Sequence, residues 1–214
     1  MTQVLNVLKS GDYSTSLNRE VYDKVLTNST VLDVGCWNGN LGARLIKDKA
    51  CTVDGLDADS NQLIRAKERG YRNTFLVNLN SENPDFTSIE GSYDVIVFAD
   101  VLEHLVNPAE VLAGLKKKLK PEGKIIVSLP NVAFILNRLN LLLGKWNYTE
   151  FGTLDKTHLR FFTLESGLSL VEKAGFQNAQ VIPYNQFGIL AKLHLLTRLV
   201  PKMIAYQFLV VATN

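Results

Sequence analysis

Two hydrophobic patterns alternate along this chain. Short apolar runs recur at residues 30–34, 51–57, 74–78, 93–98, 124–130, 179–183 and 206–212. These runs predict strands, and the continuous run 93–98 predicts one buried on both faces. Between them apolar residues return every three or four positions. Leu17, Val21, Tyr22, Val25 and Leu26 predict a helix from Ser16, and Leu41, Leu45 and Ile46 one over 40–48. A third covers 60–69, with Asp59 and Ser60 at its start and Gly70 at its end. A fourth begins at Asn107-Pro108 and carries Val111, Leu112, Leu115 and Leu119. A fifth covers 164–174 between Thr163 and Gly175, and an apolar helical stretch runs from about 188 to 199. Residues 80–92 read as a loop and Pro121-Glu122-Gly123 as a turn.

Strands alternating with helices predict an α/β, doubly wound parallel sheet. Right-handed crossovers then gather the carboxyl ends of the strands on one rim, where open α/β sheets bind ligands. Residues 132–161 break the alternation. Val132–Leu143 is amphipathic with polar Asn137, Arg138 and Asn140, and Trp146, Tyr148 and Phe151 follow. The expectation is a single domain over 1–214 with 132–161 as a lid-like insertion after the fifth strand; a packing or dimer helix is the alternative.

Composition narrows the function. Hydrophobic residues make 46% and charged residues 21% of 214, with a net charge of +2. That balance gives no reason to expect a nucleic-acid partner. Cys36 and Cys51 are too few for a disulfide framework and read as reduced small hydrophobes. No signal peptide or membrane-length apolar run is visible, so the expected location is the cytoplasm. The apolar faces of 132–143 and 189–200 leave contact with a membrane surface or a partner open, although neither stretch is strongly basic. The oligomeric state stays open between monomer and homodimer.

The candidate chemistry starts at Val31-Leu-Asp33-Val-Gly35-Cys36-Trp37-Asn-Gly39-Asn-Leu-Gly42. A strand, a glycine-rich turn and a helix start predict a ligand cradle with helix amides aimed at the ligand. The dinucleotide spacing G-x-G-x-x-G fails, because Trp37 and Asn40 stand where it needs glycine. Asp57 ends the second strand, where one carboxylate can accept from both hydroxyls of a ribose; a helix cap is the plainer role. Asn78 ends the third strand and can accept a hydrogen bond through its carbonyl oxygen, with Leu79 beside it. Ala99–His104 and Pro130-Asn131 fall on the same rim.

Asp33–Gly42, Asp57, "FADVLEHL", "LKPEGKIIVSLPN" and "THLRFFT" together resemble the class I S-adenosylmethionine-dependent methyltransferases. The likeness is closest to small methyltransferases of bacterial surface-polysaccharide pathways and to the ubiquinone-type O-methyltransferases. Trp37 departs from that family's usual middle glycine. The resemblance implies a Rossmann-like seven-stranded sheet with its last strand antiparallel. It implies S-adenosylmethionine as cofactor, held by Asp33, Gly35, Cys36, Gly39, Asp57, Ala58, Asn78, Leu79 and Ala99. Asp33 and Gly35 would take the methionine end, Asp57 the ribose, and Asn78 and Leu79 the adenine.

A hydroxyl acceptor must lose a proton, and histidine suits that at neutral pH. His104 and His158 lie in rim segments, whereas His194 sits in the C-terminal apolar stretch and reads as structural. The expected catalytic set is His104, His158 and Glu103, with Arg160 fixing the segment or an anionic group of the substrate. Asp100-x-x-Glu103-His104 plus His158 also resembles a pattern that holds a divalent metal in some relatives, including small-RNA 2′-O-methyltransferases; a metal is not the expectation. The leading function is O-methylation of a sugar or small-metabolite hydroxyl, with a small-molecule or glycan acceptor. A non-catalytic cofactor-binding or assembly subunit is the second reading.

Overall fold

The computed structural model describes residues 17–185 and 199–214. Seven strands form one sheet: β1 (Thr30–Val34), β2 (Thr52–Asp57), β3 (Thr74–Leu76), β4 (Tyr93–Ala99), β5 (Leu119–Pro130), β6 (Gln177–Tyr184) and β7 (Gln207–Thr213). Their order is β3-β2-β1-β4-β5-β7-β6. The first five pair in parallel, and β7 lies antiparallel between β5 and β6. This is the doubly wound sheet the alternation predicts, with the antiparallel last strand.

Period-two alternation splits the core between the two faces. Leu32, Ile96, Phe98, Ile125, Val127, Phe208 and Val210 point to one face. There they meet Leu112 and Leu115 of the helix Pro108–Lys116, α4, and Val171 of the helix Leu164–Lys173, α6. Val31, Val95, Val97, Ile126 and Leu209 point to the other face. They pack on Val21 of α1 (Arg19–Lys24), Leu45 of α2 (Asn40–Lys49) and Leu63 of α3 (Ser60–Glu68). Such interior aliphatics hold the sheet by about 2–5 kcal/mol each when measured by truncation to Ala.

Caps behave as their residues suggest. Asp59 accepts from the amides of Asn61 and Gln62 at the start of α3, and Thr163 forms a capping box with Ser166 at the start of α6. Ser60 is the first helical residue rather than a cap.

The sequence pattern misplaces several details. The first helix is confined to Arg19–Lys24, because Asn18 caps it by accepting from the Val21 amide. Leu119 belongs to β5, not to the preceding helix, and Pro121-Glu122-Gly123 is not a turn. That stretch is absorbed as an irregularity in the strand, where pairing jumps from Tyr93–Leu119 to Val95–Lys124. β3 stops at Leu76, before Asn78.

After β5 come α5 (Ile135–Leu142) and an irregular stretch that returns to α6. The return is pinned: Asn131 bridges Phe162, and the Val132 amide donates to the Phe162 carbonyl at 2.9 Å. α7 (Pro201–Ile204) precedes β7. The apolar stretch expected at 188–199 and His194 lie almost wholly outside the described residues. No helix among the described residues is long and apolar enough to cross a membrane.

Candidate active site

The carboxyl ends of β1, β2, β4 and β5 and the insertion after β5 enclose a cavity of about 420 Å³. Its cradle begins where β1 breaks at Gly35, whose φ of 67° suits glycine and whose added Cβ would lie 2.7 Å from Val101 Cγ2. The Gly35 and Cys36 amides both donate to the Leu56 carbonyl, at 2.7 and 3.1 Å, which ties the loop to β2.

Trp37 takes the left-handed conformation, φ 49°, at the point where the family's usual motif has glycine. Its amide donates to Asp57 Oδ2 at 2.8 Å, and its side chain stays half exposed on the cavity wall. That hydrogen bond offsets part of the strain of a non-glycine residue there.

The other motif glycines serve packing. A Cβ on Gly39 would sit 2.8 Å from Ala66 Cα, and one on Gly42 only 2.2 Å from the Tyr71 ring and hydroxyl. The amides expected to await a ligand are partly used: Asn40 donates to Asn38 Oδ1 at 3.3 Å and Gly42 to the Tyr71 hydroxyl at 3.0 Å.

Asp33 is buried beneath the cradle yet opens on the cavity. Tyr71 donates to its Oδ2 at 2.7 Å. Burial pushes its carboxyl up to about 7, against the Tyr71 hydrogen bond, and the Asp57 charge adds to the rise. A desolvated carboxylate with one donor and an open side is fitted to receive a cation. Asp57 accepts from the Trp37 and Asp59 amides, one on each oxygen, leaving lone pairs for a ligand. Cys36 also lines the wall; burial, then the charges of Asp33 and Asp57, push its thiol up, so it is an inert lining group.

Asp33, Gly35, Cys36, Asp57 and Ala99 thus meet at one cavity. Gly39, Ala58, Asn78 and Leu79 are not on its wall. Asn78 is exposed and its side chain accepts from the Asn80 amide at 2.9 Å, while Leu79 is buried in the core.

The opposite wall holds the histidines. A 3₁₀ turn, Leu102–His104, follows β4, and the insertion docks on it through the Leu159 and Arg160 amides, which share the Glu103 carbonyl at 2.8 and 3.0 Å. This brings the His104 and His158 rings to 4.8 Å between centroids, edge to face.

His104 Nδ1 lies 3.2 Å from the Thr157 carbonyl. A carbonyl can only accept, so Nδ1 carries the hydrogen, which in the neutral ring leaves the lone pair on Nε2. Asp155 holds Thr157 in place by accepting from its amide and hydroxyl at 2.8 and 2.7 Å.

His158 is driven down to about 4 by burial first and by His104 second, with Asp155 and the Thr153 backbone opposing. It is neutral at pH 7, and its Nδ1 is buried without a hydrogen-bond partner. Glu103 is buried, with Oε2 unpartnered, and burial and then Asp100 raise its carboxyl well above the usual range.

Asp100 lines the same cavity, but its oxygens are taken by other partners. Its Oδ1 accepts from Ser128 Oγ at 2.7 Å and Gln207 Nε2 at 3.0 Å, and its Oδ2 from Asn18 Nδ2 at 3.3 Å. The metal-capable group is therefore Glu103, His104 and His158, whose ligand atoms lie within 4.8 Å of one another, and Asp100 is not part of it. Arg160 donates to the Val106 carbonyl at 3.2 and 2.6 Å and does not line the cavity, so it fixes the segment.

Several residues of the site carry no sequence signal. Tyr71, the partner of Asp33, simply follows Gly70, and Asn18, Glu150, Tyr206 and Gln207 reach the site only through the fold.

Comparisons with known proteins agree with this geometry. Residues 12–181 match the family described as a methyltransferase domain. The ubiquinone biosynthesis O-methyltransferase of Hydrogenovibrio crunogenus (strain DSM 25203 / XCL-2) is 28% identical over 160 residues, 70% of this chain and 66% of that protein. The mitochondrial enzyme of that name from Dictyostelium discoideum is 30% identical over 143 residues, 62% and 44% of the two chains. This chain therefore spans between about half and two thirds of the length of the curated relatives it matches. A SAM-dependent methyltransferase from Archaeoglobus fulgidus superposes with a TM-score of 0.63 at 17% identity, covering 92% of this chain and 91% of that one. Another, from Mesorhizobium loti, gives 0.62 at 14%, covering 92% and 96%. At such identities these two structures share the fold.

Proposed function

This chain belongs to the S-adenosylmethionine-dependent methyltransferase family, and on that premise we propose that it methylates a hydroxyl of a sugar or another small metabolite. The observation that carries the proposal is the pairing of two walls around one cavity. One wall offers Asp33 and Asp57, and the other His104 and His158.

The cavity fits the cofactor. Its described lining includes Asp33, Asp57, Asp100, Glu103, Glu150 and Asp155 and neither Lys nor Arg. S-adenosylmethionine supplies an electrophilic methyl group on a sulfonium and also carries an ammonium. Asp33 would pair with that ammonium and Asp57 would accept from the ribose hydroxyls.

The same lining disfavours phosphorylated or carboxylated acceptors, and with them nucleic acid. His104, with its lone pair on Nε2, accepts the hydroxyl proton, while His158, neutral at pH 7, is a poor proton store and positions the acceptor. Residues 132–161 act as a cover, because Glu150, Gly152, Asp155 and His158 reach the cavity from them.

A second reading has its own observation. Glu103 Oε2 and His158 Nδ1 are both buried and unpartnered within the Glu103–His104–His158 group. One carboxylate and two imidazoles could hold a divalent ion that grips the acceptor hydroxyl and lowers its pKa.

The test is methyl transfer over a panel of neutral and anionic hydroxyl acceptors. His104→Ala and His158→Ala should each lower turnover by about 10²–10⁴ while cofactor affinity is kept. Loss of activity on chelation, restored by Mg²⁺ or Mn²⁺, selects the metal reading. Normal turnover in both variants rejects the histidine assignment. Tight cofactor binding with no transfer to any acceptor favours a non-catalytic subunit.

A further inference from the structure

The helix α5 buries little of its apolar surface: Ile135 and Leu136 pack against Phe134 and Tyr206 and are only partly covered. Its one buried side chain is Asn137, which donates to the Val132 carbonyl at 2.9 Å and to Thr153 Oγ1 at 2.8 Å. Leu139, Leu141, Leu142 and the following Leu143 are exposed by 48, 56, 82 and 69%. A helix of a globular protein turns its apolar stripe to the core, so leucines arranged this way face another apolar medium.

The patch extends beyond the helix. Arg138 donates to the Lys202 carbonyl at 3.3 Å and Phe134 packs edge-on against Tyr206, which sets α7 beside α5. There Leu199, Val200 and Met203 are exposed, and Trp146 and Tyr148 continue the surface after Gly144. From Asn131 to Thr149 the chain carries Arg138 and Lys145 and no acidic residue, and Lys202 is the one charged residue from Leu199 to Asn214. Arg138 and Lys145 are exposed, while Lys202 meets Glu165.

We propose that this face docks on the surface of an anionic lipid bilayer. The leucines of α5 enter the acyl boundary, Trp146 and Tyr148 lie at the headgroup level, and Arg138 and Lys145 meet lipid phosphates. A second copy of the chain fits the face less well, because a two-fold contact sets like-charged patches against each other. The stretch after α5 also lends Glu150, Gly152, Asp155 and His158 to the cavity, so docking would bring the cavity wall to the bilayer.

The experiment sediments the whole protein with vesicles of phosphatidylcholine, alone or mixed with phosphatidylglycerol. The protein should pellet with the mixed vesicles, less so at higher salt. L142D/L143D should lower partitioning by about tenfold or more, and K145E should lower it more weakly. Both substitutions lie at exposed positions, and circular dichroism with thermal melting checks the fold; L142Q/L143Q replaces the first variant if it melts early. Failure to pellet with the mixed vesicles overturns the proposal, as does undiminished pelleting of L142D/L143D. A dimer in sedimentation velocity that L142D/L143D separates, without vesicle binding, assigns the face to a second copy and overturns it too.

Discussion

If Asp33 pairs with the cofactor's ammonium, its charge state sets how cofactor affinity changes with pH. Its carboxyl stands near 7 in the unliganded fold, against an ordinary value of 3.8. A folded value above the unfolded one means that the residue's contribution to stability is present below about 3.8 and is lost as pH rises through 7. Roughly three units at ~1.4 kcal/mol each put that loss near 4 kcal/mol on the alkaline side. A bound ammonium reverses the preference, because it pairs with the ionised form alone. At pH 6 about a tenth of Asp33 is ionised, at pH 7.5 about three quarters, so affinity should rise roughly eightfold between them. Above that range the ligand's own amine begins to lose its proton, which limits the useful window.

Titration calorimetry reads the affinity directly, and repeating it in buffers of different ionisation enthalpy should detect a proton released on binding at pH 6. Tyr71→Phe removes the one hydrogen bond that favours the ionised carboxylate and so shifts the profile upward, by one to two units for a charge-assisted bond of ~1.5–3 kcal/mol. Asp33→Asn should bind weakly at every pH and should lose the fall in stability of the unliganded protein between about pH 4 and 7. An affinity that is flat between pH 6 and 7.5 in the unaltered protein, or unmoved by Tyr71→Phe, would refute the assignment of Asp33 to a cation.

Two further outcomes follow from the same site. Asp57→Ala should weaken cofactor binding by ~1–3 kcal/mol through the lost acceptor for the ribose; it also removes one charge that raises Asp33, so the pH profile should shift downward, and unchanged affinity by calorimetry would contradict the ribose role. If residues 132–161 close over the cavity, amide hydrogen exchange there should slow when cofactor or acceptor binds, whereas equal protection in both states would mean that the segment is a fixed packing element.

Most of the sheet was legible because its inner strands, β1, β2, β4, β7 and the second half of β5, are buried on two faces and so read as apolar runs, whereas the edge strands β3 and β6 are partly exposed. The face a residue takes follows from alternation alone, as at Leu32 against Val31 and Ile126 against Ile125 and Val127. The errors fall where local chemistry and tertiary pairing disagree. Pro121-Glu122-Gly123 has turn residues, yet Tyr93 pairs with Leu119 just before it and Val95 with Lys124 just after, so the strand takes up the extra residues as a bulge. At Asn18 the helix start was set by a side chain that caps α1 and also donates to Asp100, Ser128 and Tyr184, long-range contacts that no local window contains.

The site divides along the same line. Asp33, Asp57 and Ala99 could be placed because they sit at strand ends, whose position the topology fixes. Asn78 fails that logic because β3 ends at Leu76, and the two extra residues turn its side chain into a local hydrogen bond with the Asn80 amide. The spacing Asp100-x-x-Glu103-His104 suggests four groups around one point, but spacing does not say which way a carboxylate turns. Asp100 takes a φ of 58°, which few non-glycine residues adopt, and spends its oxygens on Ser128, Gln207 and Asn18. Glu103 then turns inward on the 3₁₀ segment with no donor for Oε2, and the insertion adds His158 with no partner for Nδ1. Two orphaned polar atoms side by side are expensive to keep in a core, on the order of 1–3 kcal/mol each. They persist next to the cavity, at the histidine pair, where an incoming hydroxyl or ion would satisfy both.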